Sequence, residues 1–153
     1  MILKVKDKEI TIFISTRKLV IVQDKTRTEN FEELYFNAMS KLNIKTLAEI
    51  LLVFAEDKEG NEAFNNIAEV YDFIDEYKKE NNKSYSDIFK ELAEVINNEG
   101  FFNKKMTKKD MEQKILDPLS TMKLNDMIQP SIEKAITEIA RNEIAENKLK
   151  MKD

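Results

Sequence analysis

The sequence predicts an α+β fold, mainly α: an N-terminal β-hairpin, a compact bundle of about five to six helices, and a C-terminal helical arm. Three observations predict it. Gly and Pro number only two each in 153 residues, so glycine turns and long irregular loops are scarce and helices are favoured. Near the N-terminus apolar and polar residues alternate, the period of a half-buried strand. Beyond about residue 30 apolar residues recur at the three-to-four spacing of an amphipathic helix. With 42% apolar and 35% charged residues, the chain can bury a core and solvate its surface as one domain. The expected division is a body over residues 1–105 and an extension over 106–153. The extension belongs either to the same domain or to an arm for self-association or a partner.

Leu3 to Ile14 reads as the hairpin. Leu3 and Val5 alternate with Lys4 and Lys6; Ile10, Ile12 and Ile14 alternate with Thr11 and Phe13; Asp7-Lys8 is the expected turn. Two strands alone are marginal, so the hairpin must rest on the helix that follows or on a hairpin of another copy. The run KLVIV fits a third strand as well as a helix. The Ser15-Thr16 pair is a good N-cap and favours a short helix from Thr16 to about Lys25.

Asn30 caps the next helix, with Glu32 and Glu33 in the first turn, where the helix dipole favours acids. Phe31, Leu34, Tyr35, Ala38, Met39 and Leu42 share its apolar face. A helix from Ile44 to Ala55 is apolar around most of its circumference and is expected at the centre of the core. Glu56 to Asn61 is a charged turn, and helical spacing resumes from Ala63 through Tyr77, with a break near Glu69. Ser84 or Ser86 can cap the next helix, Ser84 with Asp87 at capping-box-like spacing, and Tyr85, Ile88, Phe89, Leu92, Val95 and Ile96 form one stripe. Gly100 is placed to stop that helix in a left-handed turn, with Phe101 folding back against Ile96. Gly100, Phe101 and Phe102 together form the helix stop. Thr107 and Asp110 start a short helix with Met111 and Ile115, and Pro118 interrupts it. A last helix begins at Pro130-Ser131 with Ile132, Ile136, Ile139 and Ile144 on one side. That face either packs as core or docks a partner.

The chain has no cysteine and no histidine. Disulfides, thiolate chemistry and the usual zinc sites are thereby excluded, and so is the commonest general base near neutral pH. The two glycines lie forty residues apart, so no glycine-rich phosphate loop exists. No enzyme activity, metal or cofactor is expected. No run approaches the roughly 20 apolar residues that span a bilayer, and the N-terminus lacks a signal-like apolar core. Charge is segregated within a net −4. Residues 31–99 carry sixteen acids against seven bases, whereas residues 100–125 carry six bases against three acids. Lys104, Lys105, Lys108 and Lys109, beside Phe101 and Phe102, are the one candidate nucleic-acid feature. A solvated basic turn is the plainer reading in so acidic a chain. Asp72, Asp75 and Glu76 share a face that suits a hard cation or, more plainly, water.

The order of parts is distinctive: KVKDKEITIFIS, then NFEELYFNAMSKLNIKTLAEILLVFAE, then EVYDFIDEY, then SYSDIFKELAEVINNEGFFNKK. It resembles the tail assembly chaperones of long-tailed phages and prophages of Gram-positive bacteria over roughly residues 3–105. The GFF end followed by lysines is the most specific piece. The resemblance implies a helical, non-enzymatic, self-associating factor that binds the tape measure protein and brings tail tube subunits to it. It implies the cytoplasm of the bacterial host and absence from the mature virion. It does not extend over residues 106–153, where Ile132, Ile136, Ile139 and Ile144 are the expected contact with a partner or another subunit. A small phage or host regulator that binds nucleic acid through Lys104–Lys109 is the alternative from another class.

Overall fold

The computed structural model describes residues 1–116. They form one three-stranded antiparallel sheet and six helices, so the fold is α+β and mainly α. Strands β1 (Ile2–Val5) and β2 (Lys8–Ile12) make the hairpin. Helices α1 (Thr16–Thr26), α2 (Phe31–Ser40) and α3 (Ile44–Phe54) follow. A two-residue strand β3 (Ala55–Glu56) leads to α4 (Ile67–Asn81), α5 (Tyr85–Asn98) and α6 (Lys108–Leu116).

The hairpin turns at Lys6 and Asp7, one residue earlier than the spacing predicts. Val5 pairs with Lys8 and Leu3 with Ile10. Either turn keeps Leu3 and Val5 on the inner face, because moving the turn by one residue shifts the pairing by two. The chosen register has a tertiary reason. Lys6 takes a left-handed φ of 51°, and its N–H donates to Glu80 Oε2 at 3.0 Å. Asn81 Nδ2 donates to Lys4 O on the same outer edge. The C-terminal turn of α4 thus covers the polar edge that β1 would offer to another strand. Support for the hairpin therefore comes from α4, which packs against β1, and from β3, which pairs with β2 at Thr11–Glu56 and Ile12–Ala55. Among the described residues α4, not the helix that directly follows the hairpin, supplies its main helical contact.

KLVIV is helical. Ser15 Oγ accepts the Lys18 N–H, and Val22 is buried as α1 packs on α3. β1 pairs along one edge of β2, and β3 pairs with Thr11 and Ile12 on the other. Three further helix boundaries differ from the periodic pattern. The second helix ends at Ser40, and Leu42 leaves its apolar face to take φ 50°. The third ends at Phe54, since Ala55 is drawn into the sheet. The fourth starts at Ile67, not near Ala63, because Asn66 caps it by accepting the Glu69 N–H while Glu69 accepts the Asn65 N–H. Phe64, just before it, is buried beneath the Lys8 ammonium.

One core runs from Leu3 in the sheet through Tyr35, Leu51, Val70 and Phe89 to Met106 and Met111. Met106 and Met111 of the extension are buried in this core. Among the described residues no helix is long and apolar enough to cross a membrane.

Candidate functional site

The most specific stretch of the sequence, the end of α5 together with residues 100–107, is also the most elaborately held. The helix opens on a complete capping box: Ser84 Oγ accepts the Asp87 N–H, and Asp87 accepts the Ser84 N–H. Ile88, Phe89, Leu92, Ala93 and Ile96 are buried along one face. At its end Gly100 takes φ 79°; its N–H donates to Asn97 O, and the Phe101 N–H donates to Ile96 O at 3.0 Å. This is the paired bonding of a Schellman stop. Phe101 is half-buried, whereas Phe102 is only 6% exposed. Its ring centroid lies 5.0 Å from that of Phe36, 5.7 Å from Tyr35 and 6.4 Å from Phe31. The chain is anchored by Phe102 against α2, with Phe101 beside it.

Two polar residues complete the anchor: Glu32, which the sequence marks only as a first-turn acid, and Asn97, which it does not mark. Glu32, in the first turn of α2, is 3% exposed. One of its oxygens accepts the Asn103 N–H at 2.7 Å, and the other pairs with the Lys114 ammonium of α6. Asn97, 4% exposed, faces the Met106 peptide. Its Nδ2 donates to Met106 O at 2.9 Å and its Oδ1 accepts the Met106 N–H at 2.8 Å. The available signal was a helix N-terminal acid and a polar residue next to a strongly apolar stripe; neither spacing names a partner. Thr107 and Asp110 then cap α6 reciprocally, and those bonds hold the Asp110 carboxyl below its ordinary range. Among the described residues every buried side-chain polar atom has a partner.

The other candidates fall differently. Lys104, Lys105, Lys108 and Lys109 are all exposed. Of the two aromatics beside them, Phe102 is packed in the core and only Phe101 remains partly exposed. Asp72, Asp75 and Glu76 lie on α4, and Glu76 pairs with Lys6 at 3.4 Å. Among the described residues no three carboxylates converge as metal ligands. Ile132, Ile136, Ile139 and Ile144 lie outside the described residues.

Two surface clefts have apolar walls. One, of about 250 Å³, lies between α5 and α6 over Ala93, Met111 and Ile115. The other, of about 200 Å³, lies between α1 and α3, over Ile21, Leu52, Val53 and Phe64. Neither gathers a nucleophile, a base and a polarising group. Comparison with protein-family models, with curated proteins and with solved structures finds no match for this chain.

Proposed function

We propose that the chain is a non-enzymatic tail assembly chaperone of a long-tailed phage or prophage. In this reading it binds the tape measure protein, helps recruit tail tube subunits and self-associates, in the cytoplasm of the bacterial host and outside the finished virion. The observation that carries the reading is the ordered set of segments ending in NEGFFNKK. Two features are compatible with it. The described surface offers apolar clefts beside a charged exterior, as a factor that shields a helical client needs. The GFF segment is spent on anchoring residues 101–116, which leaves the isoleucines of residues 132–144 as the candidate client contact.

Co-expression with the tape measure protein encoded beside its gene tests the reading. The expected result is a soluble complex that purifies together. A tape measure protein that stays insoluble alongside a well-folded chaperone chain would overturn it. Deletion of residues 130–153 is expected to abolish client binding or self-association while the body stays folded. A truncated chain that assembles and binds as before removes the role given to the isoleucines. Salt-sensitive binding of DNA or RNA, lost on neutralising Lys104, Lys105, Lys108 and Lys109, would favour the regulator instead.

A further inference from the structure

We propose that the cleft between α5 and α6 is the docking site for residues 131–146 of the same molecule. The cleft has an apolar floor of Ala93, Met111 and Ile115, and its rim sets Lys90 and Lys108 among glutamates. The opening of about 250 Å³ lies between α5 and α6, and α6 makes its main packing contact with α2 rather than with α5. The chain leaves α6 at Leu116, which is 84% exposed and comes directly after Ile115 in the cleft. Beyond it stand 37 residues, 117–153. In them Ile132, Ile136 and Ile139 recur at helical spacing between Glu133, Lys134, Glu138 and Arg141. An apolar stripe with charges of both signs beside it matches an apolar floor with a rim of both signs.

The tether favours the chain's own segment over any other occupant. Residues 117–130 put fourteen residues between Leu116 and the stripe, a reach of at most roughly 50 Å. A linker of that length holds its segment at an effective concentration of about 1 mM, so docking with a dissociation constant near ~0.1 mM already fills the cleft. A second copy at micromolar concentration would need far tighter contacts. In the free chain the isoleucines are therefore covered, and a client must displace the cleft to reach them. The inference concerns the free chain and does not depend on which client it serves.

The absence of cysteine allows a clean test in the full chain. A spin label is placed on Thr137→Cys, beside the stripe, and amide signals are read in the same isotope-labelled chain. The expected result is loss of most signal intensity at residues 90–94 and 111–115. That loss should vanish when labelled chain without the cysteine is mixed with unlabelled chain carrying the spin label. Ile115→Asp in the cleft, and Ile136→Asp in the segment, should each restore the signals. Undiminished cleft signals overturn the proposal. So does a loss that appears in the mixed sample, which would assign the cleft to a second copy.

Discussion

Leu42 shows how much a single backbone position can ask of a side chain. It comes after α2 at φ 50°, where its N–H donates to Met39 O and the next N–H, of Asn43, donates to Ala38 O. The geometry is that of Gly100, but the residue has a branched side chain that is 46% exposed. A left-handed conformation costs an ordinary L-residue about 1–2 kcal/mol. Leu42→Gly is therefore expected to stabilise the fold by about 0.5–1 kcal/mol, after allowing for the freer unfolded chain, read as a higher urea midpoint. The reverse holds at Gly100. A methyl there would touch nothing, so Gly100→Ala should cost about 1 kcal/mol from backbone strain alone. Phe102→Ala removes a ring packed among Phe31, Tyr35 and Phe36, and the cavity it leaves should cost about 3–5 kcal/mol in the same urea measurement. The glycine stop was legible because only glycine takes that conformation freely. The leucine stop was not, because its place in the periodic pattern argued for continued helix.

Two helices bury a single residue each: Val22 in α1 and Met111 in α6. For α6 the polar contacts decide its position. Its place depends on Glu32, which reaches it through Lys114 and reaches its approach through Asn103. A buried carboxylate with two partners is costly to leave half-satisfied. Glu32→Ala should cost about 2–3 kcal/mol and act locally. Amide exchange should speed up over residues 103–116 while α3 and α5 keep their protection. Uniform loss of protection would mean that Glu32 holds the whole core. Asn97→Ala strips two bonds from the Met106 peptide and should loosen the same segment. The helices α2, α3 and α5 were legible from spacing and caps, since those signals are local. The Glu32 and Asn97 contacts join residues far apart or bridge a turn, and no periodicity announces them.

Across the molecule, pH reads out the charge design. Backbone N–H groups of Asn61, Asn65, Ser84 and Thr107 hold the carboxyls of Asp57, Glu69, Asp87 and Asp110 below their ordinary range. The folded state releases these protons more readily than the unfolded one. Their stabilisation is therefore complete above the unfolded carboxylate range and fades as pH falls through the lowered values, below about pH 4. Burial raises the Tyr35 hydroxyl well above its usual value, and bonding to Glu91 raises Lys83. The fold keeps those protons longer, so their stabilisation is present below about pH 10 and is lost as pH rises further. With no histidine and no cysteine, the urea midpoint should be flat between about pH 5 and pH 9. A step near neutral pH would contradict this.

Sequence alone was enough for the class of fold, the hairpin, the caps at Ser15, Asn30 and Ser84 and the glycine stop, because each depends on neighbours within a few residues. It also limited the chemistry, since residue types that are missing cannot be supplied by folding. The remaining choices were made by tertiary contacts. KLVIV is helical where α1 packs on α3 and buries Val22. The hairpin register was selected by Glu80, and residues 106–116 joined the body through Glu32, Asn97 and Met111. Those outcomes depend on which distant groups meet, and the free energy that selects them appears only once the core has closed.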